Sequence, residues 1–324
     1  MKTYKFYLTL LILIYSGCSE EITDPESQDV FEFNIVNGNV GSVYTVALSA
    51  GDKYFAWGGL NPAVKVSGKP PFNSHISSIN AIDFSYDGKL LLSGSSDNNI
   101  KLWDVESATL LSTFSEHITN TWDVIFTPDG KSAISSEDNY VVYWRNAVDG
   151  PIGRLALYGH TDMVSSVDMS NDMKTIISGS RDKSIKIWDA QTGDLRKTIN
   201  DHNVRVYDIE FNPDNSQFAA CIGDSTISFW DSQTFNLIKA LKNSNGNSRS
   251  ISYHSSGKYI ASAGPGSVIY IWDIANEQVF RTLEGHTELV RMVKFSPTGN
   301  NIISGGTDDK VIIWKNVFSN PGLN

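Results

Sequence analysis

Serine, histidine and aspartate recur together in this chain, so nucleophilic catalysis of the Ser–His–Asp kind is the first chemistry to weigh. His75, Ser93, Asp97 and Trp103 stand at the same mutual offsets as His160, Ser178, Asp182 and Trp188, and again as His286, Ser304, Asp308 and Trp314. Three identical constellations are not three active sites. Their hydrogen-bonding capacities are complementary: an indole N–H only donates, a hydroxyl donates and accepts, an imidazole relays and a carboxylate accepts. Outside the repeated set, no inward carboxylates or histidines gather as a hydrolase would need. There is no Gly-rich phosphate loop, Cys-x-x-Cys or His-Glu-x-x-His, and neither a metal nor a cofactor is expected.

What must position these residues is a repeat. Tryptophans stand at Trp103, Trp144, Trp188, Trp230, Trp272 and Trp314, spaced 41, 44, 42, 42 and 42 residues apart, and four of them precede an aspartate. His75, His117, His160, His202 and His286 keep the same period. Between each histidine and tryptophan lie alternating apolar runs broken by turns such as Tyr86-Asp87-Gly88-Lys89, the pattern of antiparallel hairpins. The third repeat keeps His117, Ser135, Asp138 and Trp144 but loses one residue between Ser and Asp; the fifth has Ala220 in the hydroxyl slot; the sixth has Ser244 for His and Gly266 for Asp. His254 falls in a turn without a partner pattern, and Cys221 reads as a buried small hydrophobe.

At this period the sequence resembles the WD40-repeat family over nearly the whole chain, which implies four-stranded blades around a central channel. The resemblance also implies that each His–Ser–Asp–Trp set is a network inside one blade. Ala56 to Ser67 aligns without a gap beneath Leu92 to Trp103, with Ser67 in the tryptophan slot and Val43 to Leu48 as inner strand, so an all-β, seven-bladed propeller is expected. Too little chain follows Trp314 for another strand and turn. Phe31 to Val36 is therefore expected to supply the missing outer strand of the last blade, closing the ring and removing its open edges.

In WD40 proteins one rim of the channel often carries the partner, through the residues three and five after the repeat histidine and the one before the turn aspartate. Carried over, these slots are Ser78, Asn80 and Ser96; Asn120, Trp122 and Glu137; Met163, Ser165 and Arg181; Arg205, Tyr207 and Gly223; Asn247, Arg249 and Pro265; Leu289, Arg291 and Thr307; and, in the degenerate blade, Ser42, Tyr44 and Leu60. Four of the chain's eight arginines fall among them, joined by Trp122, Tyr207 and Tyr44. Tyr44, Trp122, Met163, Arg181, Arg205, Tyr207, Arg249, Leu289 and Arg291 thus make the expected partner-binding rim, in residue types that dominate interface hot spots. A basic arc suits carboxylates or phosphates, unless the arginines pair with Asp208 and Asp224. The expected role is a non-enzymatic scaffold for a protein or peptide, acidic or polar in character. Carbohydrate binding or hydrolysis at the channel mouth is the alternative, and a structural part in an envelope assembly a further one.

The net charge of −10 speaks against nucleic acid as partner. Two cysteines exclude a disulfide framework. Residues 1–17 have a secretory signal's layout: Lys2 and Lys5, an apolar run to Tyr15, then Ser16-Gly17. With Cys18 this resembles the lipobox of bacterial lipoproteins, Tyr15 standing where an aliphatic residue is usual. The resemblance implies a lipid anchor on Cys18 as the only membrane contact. Ser19-Glu20-Glu21 resembles a surface-export signal, so the expected location is the outer membrane of a bacterial envelope, with the surface as the further expectation. Residues 18–30 read as a solvated, lipidated tether, 31–318 as the propeller and 319–324 as a tail.

Overall fold

Short runs of β-branched and aromatic residues, each ended by a Ser-, Asn-, Asp- or Gly-rich turn, fold back on their predecessors throughout the chain. A computed structural model describes residues 20–23, 30–115, 119–149, 153–200, 202–242, 246–264 and 266–318. The expected signal segment, Cys18, His117, Ser244, Pro265 and the residues from 319 lie outside the described residues. Seven antiparallel sheets follow one another. Their inner strands, beginning with Val43–Leu48 in blade one and ending with Val290–Phe295 in blade seven, touch in sequence, and the last touches the first. The fold is a seven-bladed β-propeller, with a short 3-10 turn at Ala50–Asp52 as its one helical element among the described residues.

Both ends of the chain build the last blade. Val30–Asn37 pairs antiparallel with Lys310–Trp314, Phe33 opposite Trp314, as the strand count requires. Phe33 is buried with its ring centroid 5.3 Å from that of Trp314. Asp309 reinforces the seam: its carbonyl accepts the Gly38 N–H at 2.7 Å and its Oδ1 the Val40 N–H at 3.1 Å. A fifth strand, Glu20–Thr23, pairs outside Val30–Asn37. Part of the segment read as a solvated tether is thus strand, paired with the backbone groups of the edge it covers.

The four aspartates that follow a tryptophan have a local reason. Each caps the turn into the outer strand, with Asp104 accepting the Ser107 N–H at 2.7 Å, Asp189 that of Thr192 at 2.9 Å, Asp231 that of Thr234 at 2.7 Å and Asp273 that of Asn276 at 2.9 Å. Neighbouring blades pack closely: a Cβ on Gly179 would lie 2.5 Å from the Val206 side chain of the next inner strand.

Inside the blades the repeated residues form the hydrogen-bond chain. In blade two, Trp103 Nε1 donates to Ser93 Oγ at 2.8 Å, His75 Nε2 meets the same oxygen at 2.8 Å, and His75 Nδ1 lies 2.8 Å from Asp97. Blade four repeats this with 2.9, 2.8 and 2.8 Å, and blade seven with 2.9, 2.9 and 3.0 Å. Burial pushes the Asp97 carboxyl up, but the bonds from His75 and the Ile76 N–H outweigh it and hold the group at about 2. In blade five Ala220 leaves the buried Trp230 Nε1 without a hydrogen-bond partner. Blade one uses another tie: Trp57, opposite Val46 as Ser178 is opposite Val167, donates its indole N–H to the Gly38 carbonyl at 2.8 Å.

Candidate channel-mouth site

Rim residues are placed by the inner strands. In five blades the pairing between inner and second strand slips by one residue, between Val43 and Thr45, Ile79 and Ala81, Val164 and Ser166, Val206 and Asp208, and Val290 and Met292. The skipped residues are Tyr44, Asn80, Ser165, Tyr207 and Arg291, all in the slot five after the repeat histidine. A β-bulge bends the strand and re-aims the side chain it skips. Together with Trp122 and Arg249 at the heads of their strands, Tyr44, Asn80, Ser165, Tyr207 and Arg291 line one cavity of about 780 Å³ running into the channel. Met163, Arg181, Leu289, Ser78 and Ser96 line it too, while Arg205 faces a neighbouring pocket that shares Arg181 and Tyr207. Leu60, Asn120 and Thr307 line neither.

Arginine and tyrosine are interleaved at this mouth. The guanidinium of Arg249 lies 4.5 Å and that of Arg205 5.0 Å from the Tyr207 ring centroid, and that of Arg291 4.3 Å from Tyr44. The expected competing pairs are not made: Asp208 instead accepts Ser166 Oγ at 2.8 Å and the Ile251 N–H at 2.9 Å, and Asp224 accepts the Thr226 N–H at 3.1 Å. Among the described residues no carboxylate lies within ion-pair distance of Arg181, Arg205, Arg249 or Arg291. Desolvation lowers the pKa of Arg291, and the charge of Arg249 adds to this.

Glu137 is not a rim residue. It is fully buried, accepting Ser135 Oγ and Thr119 Oγ1, each at 3.3 Å. The turn of blade three is one residue shorter than that of blade four, closing from Glu137 N–H to the Tyr140 carbonyl where blade four runs from Ser180 to Ser184. Glu137 therefore occupies the inward place of Ser180, and Asp138 moves out to accept the Trp122 indole N–H at 3.0 Å.

Below the rim the channel is acidic, contrary to the expectation that no inward carboxylates gather. Asp83, Asp123, Asp168, Asp208 and Glu210 line the same cavity, with Lys294 among them. Most of these are clamps between blades. Asp83 accepts the Phe126 N–H at 2.7 Å, Asp123 that of Val167 at 3.0 Å, Asp168 that of Phe211 at 2.6 Å and Glu210 that of Tyr253 at 3.3 Å. Ser250 and Ser252 do the same for Val293 and Phe295, and Thr45 for Ile82. Burial pushes Asp83 up to about 7, Asp168 to about 6 and Glu210 to about 8. The Lys294 ammonium, 3.8 Å from Glu210, pulls it down but is outweighed by burial and the charges of Asp168 and Asp208. Lys294 and Glu210 keep 34% and 22% of their side-chain surface open to the channel, so water tempers these shifts. Among the described residues no three His, Cys, Asp or Glu side chains are grouped to hold a metal ion. Cys221 is a buried free thiol and His254 sits edge-on among Tyr259, Phe295 and Phe318. No described helix is long and apolar enough to cross a membrane.

The family described as WD domain, G-beta repeat matches residues 68–104, 108–145, 152–189, 193–231, 235–273 and 277–315. A Synechocystis protein described as an uncharacterized WD repeat-containing protein is 30% identical over 217 residues, 66% of this chain and 54% of its own. The WD repeat domain-containing protein 83 homolog of Dictyostelium discoideum is 32% identical over 137 residues, covering 42% of this chain and 41% of the relative. Autophagy-related protein 16 of Arabidopsis thaliana is 30% identical over 128 residues, 39% and 25% of the two chains. The matched stretches span about half or less of each relative's length.

Proposed function

The chain belongs to the WD40 family, and from that premise we propose that it is a non-enzymatic platform whose Arg- and aromatic-lined channel mouth grips an acidic or polar protein or peptide. The observation that carries this reading is the set of guanidiniums held over Tyr207 and Tyr44 without a carboxylate partner, at the opening of a cavity of about 780 Å³. Flat, pre-positioned guanidiniums lose little freedom when they engage a carboxylate bidentately. The same stacking speaks against a sugar platform. Of the aromatics a pyranose ring could stack on, Tyr207 and Tyr44 already carry guanidiniums, and Trp122 alone is left without one among the described residues. Hydrolysis is disfavoured by the throat, where the carboxylates are engaged with backbone N–H groups of the next blade.

The reading includes a lipid anchor on Cys18 and a place at the outer membrane of a bacterial envelope, facing outward. A crosslinking pull-down from intact cells tests the platform. Arg205→Ala/Arg249→Ala/Arg291→Ala is expected to lose one dominant partner while melting like the parent, and an unchanged partner list overturns the rim. Cys18→Ser is expected to release the protein from the membrane fraction; retention there would remove the anchor from the reading.

A further inference from the structure

Beside the channel mouth, an open pocket of about 380 Å³ lies between blades four and five and reaches Asn247 of blade six; Arg181, Lys183, Arg205, Asn203 and Asp162 line it among others. Among the described residues, three cations there face a single carboxylate. That carboxylate, Asp162, accepts the Met163 N–H on Oδ1 at 2.7 Å, and the cations outnumber it. The cations are held in place by neutral groups. Lys183 Nζ donates to Asn203 Oδ1 at 3.0 Å, leaving two ammonium hydrogens to give, and Arg205 lies over Tyr207. The backbone fixes both arginines: the Arg181 N–H donates to the Met163 carbonyl at 2.9 Å, and the Arg205 carbonyl accepts the Gly223 N–H at 2.9 Å. Glycine keeps this wall open, because a Cβ at position 223 would lie 3.3 Å from the Arg205 carbonyl oxygen and 3.5 Å from its Cγ.

Among the described residues the deeper channel holds five carboxyl groups and the ammonium of Lys294, so the unpaired cations lie at the mouth and beside it. The three cations of the pocket, with Asp162 as the one carboxylate among its described lining, draw a negative group to this side of the mouth. We propose that the pocket of Arg181, Lys183 and Arg205 between blades four and five is an off-axis seat for a doubly charged anionic group. Either a phosphate monoester or two adjacent carboxylates supplies that charge on a peptide. The seat deepens the platform reading and, for its natural occupant, rests on it.

Calorimetric titration of inorganic phosphate into the full chain, purified in detergent at low salt, tests the seat directly. One saturable site is expected, weakened about tenfold or more in Arg181→Gln and in Lys183→Gln. It should be kept in Lys131→Gln, on the exposed turn of blade three, and should fade as salt is raised. All three positions are exposed, and equal melting temperatures confirm intact folding. Absence of saturable binding, or equal affinity in Arg181→Gln, overturns the proposal. A phosphoserine peptide and its Glu-Glu counterpart then separate the two sources by which one competes with phosphate. Phosphate binding with an unchanged pull-down would keep the seat and sink the platform. A lost partner without phosphate binding would do the reverse.

Discussion

Ala220→Ser should stabilise this propeller, because blade five is built for a hydroxyl it lacks. Trp230 and Ala220 are buried, and the His202 and Trp230 ring centroids lie 6.3 Å apart. The matching pairs, His75 with Trp103 and His160 with Trp188, lie 6.4 and 6.2 Å apart. A serine in the parent geometry would place its oxygen about where Ser178 Oγ accepts the Trp188 indole at 2.9 Å. Pairing a buried orphan donor recovers about 1–2 kcal/mol, once the burial of the new hydroxyl is counted. At roughly 2 °C per kcal/mol for a domain of this size, the melting temperature should rise by about 2–4 °C. Ser178→Ala is the mirror experiment. It strands both the Trp188 indole and His160 Nε2, which meets the same oxygen at 2.8 Å, and should cost about 2–4 kcal/mol. Thermal and urea unfolding measure both, and the Trp230 indole proton should move downfield in the serine variant. Trp230→Phe should abolish the gain. A neutral or destabilising Ala220→Ser, beside a Ser178→Ala that costs less than about 0.5 kcal/mol, would refute the account of these networks.

Two further outcomes follow from the throat and the seam. Asp83, Asp168 and Glu210 sit at about 7, 6 and 8 in the folded chain, above their unfolded values, so folding takes up protons and these groups lose stability as pH rises from about 4 towards 8. Asp97 and Asp308, held at about 2, contribute stability that is complete above about 4 and lost as pH falls towards 2. The melting temperature should therefore peak at mildly acidic pH and fall on the alkaline side. Glu210→Gln should flatten that alkaline limb, and a profile identical to the parent's would show that Glu210 is not its source. Phe33→Ala removes a buried ring from Trp314 and should cost about 3–5 kcal/mol, with faster proteolytic cutting within Val30–Asn37; an unchanged cutting rate would mean the seam does not depend on it.

The blade count, the closing strand and the missing hydroxyl at Ala220 were legible because each is fixed by spacing along the chain. Glu137 was misread for a local reason: deleting one turn residue shifts every neighbour inward by one place, which a slot rule anchored on Asp138 does not register. The throat was missed for a spatial one. Asp83, Asp168, Glu210 and Lys294 share one slot, eight after the repeat histidine, but differ in type from blade to blade, so a search for repeated residues passes over them. Only the rotation of successive blades about the axis brings them together. The bulges were equally hidden, since a slip in pairing leaves no mark on composition.

The shared last blade also imposes an order on birth. Val30–Asn37 leaves the ribosome long before Lys310–Trp314, so the ring stays an open arc until residue 314 has been made. A product cut short before residue 310 keeps its upstream blades but ends on an uncapped edge and lacks the strand its own beginning was made to pair with. Closure therefore acts as a test of how far the chain has been made: molecules that reach residue 314 hide the edges of the last blade, and those cut short advertise them to proteases and to one another.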